Sequence, residues 1–140
     1  MRAQQRPPTA GIVACLCYLL AVVAPYLLLE GPAAAGLETY YGGYGIAGPQ
    51  FLAALPLVGI VLFAAGRQAR TRPDYAAGLT LVLGTVLTLL VLAWALAVPA
   101  DVVASIGEAT WLEYHRWLLA VCAAAVVAAS AWYARVLGLV

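Results

Sequence analysis

Four apolar stretches, separated by gaps in which the charged residues collect, set the pattern of this 140-residue chain. They cover residues 10–29, 49–66, 75–98 and 111–134. Each is close to the roughly 20 residues that carry an α-helix across a hydrocarbon layer about 30 Å thick. The pattern predicts an all-α membrane protein, an antiparallel four-helix transmembrane bundle forming a single domain of residues 1–140.

The charges in the gaps alternate in sign. Arg2 and Arg6 precede the first stretch, and Glu30 and Glu38 follow it. Arg67, Arg70 and Arg72, against a single Asp74, occupy the next gap; Asp101, Glu108 and Glu113 follow the third stretch, and Arg135 closes the fourth. Arginine marks the cytoplasmic side. Both ends of the chain are therefore expected inside the cell membrane, with the acidic gaps outside.

Composition agrees with this reading. Charged residues make up 9% of the chain and hydrophobic residues 66%, with a mean hydropathy of +0.98; a soluble domain carries about 25% charged residues. A net charge of +1 on dispersed arginines does not make a nucleic-acid surface. Cys15, Cys17 and Cys122 all fall within the apolar stretches, where thiols are inert, and their spacing matches no metal-ligand set.

The first apolar run, residues 11–29, competes with a secretory leader, since basic residues precede it and Ala33, Ala34 and Ala35 follow it. Leader cores are about 7–15 residues, so a retained span is expected. Within it, Pro25 has no N–H to offer the carbonyl of Ala21, which predicts a kink. Residues 30–48, with Tyr40, Tyr41, Tyr44 and neighbouring glycines, read as a loop along the outer interface. The link 67–74 is short enough to force the second and third helices into a hairpin. In that link Thr71 and Asp74 resemble a helix-start cap, and Thr110 with Glu113 form a capping-box pattern at the fourth helix.

Two groups of residues stand out. Ala76, Thr80, Gly84 and Thr88 repeat a small side chain every fourth position, and Ala120, Ala124 and Ala128 do the same on the fourth helix. Small residues let helix backbones approach, so these read as a packing seam between the third and fourth helices. The second group is Glu113, Tyr114, His115 and Arg116 at the head of the fourth helix. Glu113 and Arg116 are spaced to pair, and His115 can titrate near neutral pH or donate one metal ligand. With the outer acids it forms a candidate outer-face polar cluster.

No catalytic motif stands out, and no cofactor is called for. One histidine excludes bis-histidine haem within a single protomer. The hydrocarbon-depth polar residues, such as Tyr18, Thr80, Thr85, Thr88 and Ser130, are not ionised, unlike those of pumps and intramembrane proteases.

The segments Ala24–Leu28 (Ala-Pro-Tyr-Leu-Leu), Gly48–Phe51 (Gly-Pro-Gln-Phe), Trp111–Trp117 (Trp-Leu-Glu-Tyr-His-Arg-Trp) and Ala131–Arg135 (Ala-Trp-Tyr-Ala-Arg) resemble a family of small four-span membrane proteins of halophilic archaea. The likeness extends over nearly the whole chain. It implies a source and a fold, and no activity or site residues. The function expected is that of a non-enzymatic membrane component, an accessory subunit or a homo-oligomer, in contact with membrane lipids. A small transporter or channel lined by threonines, or an outer-face lipid-binding protein or enzyme using His115, are the alternatives.

Overall fold

The computed structural model describes residues 3–28, 52–97 and 112–139. These contain a 3₁₀ turn at Ala3–Gln5 that runs into α1 (Arg6–Leu28), then α2 (Ala54–Arg67), α3 (Pro73–Ala97) and α4 (Leu112–Val136), with no strand among the described residues. The architecture is an all-α four-helix bundle. The Tyr/Gly-rich segment 30–48 and the capping pattern at Thr110 lie outside the described residues, as does the side chain of Glu113.

Local chemistry sets the helix ends. α1 begins earlier than the apolar run because Pro7 and Pro8 sit in its first turn, where no backbone donor is needed. Pro73 likewise opens α3, with Arg72 outside the helix accepting at its carbonyl from the Ala76 N–H, 3.1 Å. That places Thr71 beyond the cap position, so the expected Thr71–Asp74 cap does not form. Asp74 pairs instead with Arg72 at 2.9 Å, in the first turn, where a carboxylate is favoured by the helix dipole.

α2 and α4 both close with a Schellman motif, in which the chain turns through one left-handed residue. After α2 that residue is Ala69 (φ 57°), with Arg70 N–H bonded to Ala65 O at 2.9 Å and Ala69 N–H to Gly66 O at 3.2 Å. After α4 it is Gly138 (φ 76°), with Leu139 N–H on Ala134 O at 2.9 Å and Gly138 N–H on Arg135 O at 3.1 Å.

Each helix packs on two neighbours, in the ring α1–α2–α3–α4. All four pairings are antiparallel. Phe63 near the end of α2 lies against Gly11 near the start of α1, and Gly66 lies against both Ala76 at the start of α3 and Tyr133 at the end of α4. Gly84 midway along α3 meets Val126 and Val127 of α4. One end of the bundle thus gathers Arg6, Arg67, Arg70, Arg72 and Arg135; it is called the arginine end below, and the opposite end the far end.

The core is layered along the bundle. Tyr18, Leu87, Val91, Trp94, Leu119, Cys122 and Ala123 fill the far half. Cys15, Phe63, Val126 and Ala129 make a middle layer, and Ala77, Tyr133 and Ala134 close the arginine end. The outside is equally apolar: Leu20, Leu27, Val82, Leu89, Leu96 and Val121 are all exposed. α1 (from Arg6 to Ala24), α3 and α4 (from Tyr114) are long and apolar enough to cross a membrane. α2, with 14 residues, covers only about 21 Å as a regular helix, less than the layer expected of it.

Candidate functional site

At the head of α4 polar side chains reach neighbouring helices, and His115 does not face outward as its place in the expected cluster implies. Tyr114 is exposed, but His115 is buried, 3% exposed, between α4 and α1. Its Nε2 lies 2.5 Å from the carbonyl oxygen of Ala21. A carbonyl only accepts, so Nε2 carries the hydrogen and donates. The ring is therefore committed to a backbone contact on α1 and does not face the outer surface as expected.

Arg116 turns the other way. Its Nη1 donates to the carbonyl of Ala95 on α3 at 3.4 Å, while the guanidinium carbon stands 5.4 Å from the Trp117 ring centre. Successive helical residues point about 100° apart, which lets adjacent positions on α4 reach both flanking helices. Ala21 O is the carbonyl whose regular i+4 donor within α1 would be residue 25, a proline with no N–H to give, and Ala95 O belongs to the last turn of α3, where carbonyls lack an intrahelical donor.

The small-residue positions divide between inside and outside. On α3, Ala76, Thr80 and Gly84 are buried and Thr88 is half-buried. On α4, Ala120 is buried whereas Ala124 and Ala128 are exposed. The reason is angular: a step of four residues advances about 40° around a helix, so two steps carry a residue about 80° off its starting face. The positions that stay inward alternate steps of four and three: Leu119, Ala123, Val126, Ser130 and Tyr133 on α4, against Thr80, Gly84, Leu87, Val91 and Trp94 on α3. That heptad-like spacing is the geometry of left-handed helix packing. The seam on α4 is thus carried by Ala123 and Val126, and the expected Ala124 and Ala128 are not part of it.

The hydroxyls along α3 and α4 bond to their own helices. Thr80 donates to Ala76 O at 2.7 Å, Thr85 to Leu81 O, Thr88 to Gly84 O and Ser130 to Val126 O, the last three at 2.8 Å. At the arginine end, Arg67 Nε donates to Thr9 Oγ1 at 3.0 Å, and that hydroxyl donates to Gln5 O at 2.7 Å. No pattern in the sequence marks Thr9. The three cysteines are free thiols, Cys15 and Cys122 buried and Cys17 exposed. Among the described residues no three His, Cys, Asp or Glu side chains converge as a metal site would require.

No curated protein and no solved structure matches the chain. Residues 1–138 match the model of a family of unknown function, DUF7548, so the chain belongs to that family.

Proposed function

We propose that this is a multi-pass protein of the cell membrane, with both ends of the chain cytoplasmic, that works by association, as an accessory subunit or as a homo-oligomer. The observation that carries the reading is the outward placement of Ala124 and Ala128 on α4. With Ala125 and Ala131 they leave a low strip on the lipid-facing side of the bundle, between Val121 and Trp132. In lipid, helices associate by close packing and not by escape from water, so a strip of small side chains favours contact with another helix.

The polar inventory supports association over chemistry. His115 and Arg116 are spent on backbone carbonyls, and the threonine hydroxyls that a solute path would use are bonded within α3. Fully buried Tyr18, Leu87, Val91, Trp94 and Leu119 fill the bundle axis in its far half. The arginines at one end support the orientation, and the resemblance to halophilic archaeal proteins is the basis for the proposed source.

Cross-linking tests the association. In a Cys17→Ala background, Ala124→Cys and Ala128→Cys should form disulfide-linked species on mild oxidation of native membranes, and Leu20→Cys on the exposed side of α1 should not. Mass spectrometry of the linked species distinguishes a second copy from another subunit. A monodisperse monomer after gentle extraction, with no cross-link at either α4 position, discards the proposal.

A further inference from the structure

We infer that the outer flank of the α2–α3 hairpin binds an anionic phospholipid, with the phosphate at Arg70 and Arg72 and an acyl chain along the apolar track that begins at Tyr75. The inference rests on the membrane placement proposed above, and not on association through α4. Charge is the first observation. Arg67, Arg70 and Arg72 stand on this hairpin against Asp74, the one acid among the described residues of the arginine end. Arg67 reaches α1 through Thr9, whereas Arg70 and Arg72 are exposed. The turn that carries them is closed by the N–H groups of Arg70 and Thr71, which donate to Ala65 O at 2.9 and 3.3 Å. A zwitterionic headgroup would bring its own cation to these arginines, so an anionic one is favoured.

The second observation is that Arg72 is already set in place. Its guanidinium carbon stands 4.7 Å from the centre of the Tyr75 ring, while Nη1 donates to Tyr75 Oη at 3.4 Å and Nη2 to Asp74 Oδ2 at 2.9 Å. The side chain is still 68% exposed, so the rest of its planar fork is open to an acceptor. Such a fork matches a phosphate bidentately, and a side chain held beforehand loses less freedom on binding. The third observation is the track. Gly59 lies against Leu83 and Gly66 against Ala76, which marks the seam between α2 and α3. Just outside it Tyr75, Leu79, Val82 and Val86 follow one another along α3, all exposed, with exposed Val58 and half-buried Leu62 on α2. Their steps of three and four keep them on one side of each helix. From Tyr75 to Val86 the helix rises about 16 Å, which is close to half of a hydrocarbon layer about 30 Å thick and so to the reach of one acyl chain. Tyr75, with an apolar ring and a polar tip, stands where head and chain join.

Lipid binding to the full chain tests the site. The purified protein, delipidated in detergent, is titrated with phosphatidylglycerol and with phosphatidylcholine of the same acyl chains, and bound lipid is counted by native mass spectrometry. Phosphatidylglycerol should bind more tightly than phosphatidylcholine. Arg70→Gln and Arg72→Gln should each weaken it about fivefold, the equivalent of about 1 kcal/mol for a basic group at an anionic surface. Arg135→Gln removes an exposed charge of the same end from α4 and should leave the binding unchanged. Glycerol phosphate in equal amount should not displace the lipid, because it has no chain for the track. A loss at Arg135→Gln equal to those at Arg70 and Arg72 would mean diffuse attraction by charge and would overturn the site. So would equal binding of the two lipids, or displacement by glycerol phosphate, which would make this a site for a free anion. Flotation with phosphatidylcholine vesicles separates the two readings. A chain that does not float loses its membrane placement and the site with it, whereas a chain that floats but shows no preference for phosphatidylglycerol loses only the site.

Discussion

Gly84 of α3 approaches Val127 of α4 so closely that a Cβ on the glycine would stand 3.3 Å from the valine's backbone nitrogen, and 3.1 Å from Cγ1 of Val126. A side chain can rotate away from such a contact, but a helix backbone must move as a whole. Gly84→Ala should therefore lose about 1 kcal/mol despite alanine's better helix propensity, and Gly84→Leu should lose more by separating α3 from α4. Gly78, on the same helix, has nothing within 4 Å of an added Cβ. Gly78→Ala should gain about 0.5–1 kcal/mol. Thermal unfolding in mild detergent compares the pair, and equal effects at the two glycines would refute the close approach.

Ala69 and Gly138 occupy the same left-handed position in equivalent helix-ending motifs, yet only one is the residue that tolerates it without strain. Ala69→Gly should raise stability by about 1 kcal/mol, because a left-handed non-glycine residue costs about 1–2 kcal/mol. Gly138→Ala should lower it by a similar amount, with little change in packing, since an added Cβ meets nothing within 4 Å. The two substitutions should shift the midpoint of unfolding in opposite directions.

The long apolar runs made three of the helices legible in the sequence, because length and composition alone identify a segment such as α3. The helix ends were less legible. Pro73 starts α3 two residues ahead of the apolar run, and the Schellman turn at Ala69 lacks the glycine that usually signals it. The small residues repeating every fourth position on α3 include Gly84, which lies against Val126 and Val127, but on α4 the same rule drifts outward to Ala124 and Ala128. The alternating four-and-three spacing from Leu119 to Tyr133 was present in the sequence and identifies the inward face better. The fate of His115 was half visible: Pro25 announces that Ala21 O lacks a donor, but which side chain answers it depends on how α4 packs against α1.

Arg67 and Thr9 join the end of α2 to the start of α1 across 58 residues of sequence, with the threonine hydroxyl passing its own hydrogen to Gln5 O. Thr9→Val keeps the shape and removes both bonds, while Arg67→Met keeps the stem and removes the donor. For this half-buried pair each change should cost about 1 kcal/mol. The double variant should cost clearly less than the sum of the two, since neither residue then retains the other's partner. Additive losses in a double-mutant cycle would mean that the contact contributes nothing to holding α1 against α2.

The proposed orientation can be tested at the same arginine end. Arg6, Arg70 and Arg135 are exposed there, and Arg72 is the partner of Asp74. Arginine is retained on the cytoplasmic side during insertion, so the turn at Gln68–Ala69 should be inaccessible to reagents added outside intact cells. In a background with Cys17→Ala, Gln68→Cys places a thiol in that turn, where Gln68 is exposed. A membrane-impermeant maleimide should label it only after the cells are opened. Because α2 and α3 form an antiparallel hairpin, a thiol introduced at Ser105, in the acidic stretch that follows α3, should show the reverse and react in intact cells. Labelling of position 68 from outside would invert the protein in the membrane, placing the His115 and Arg116 end in the cytoplasm; labelling of both positions from outside would be incompatible with α3 crossing at all.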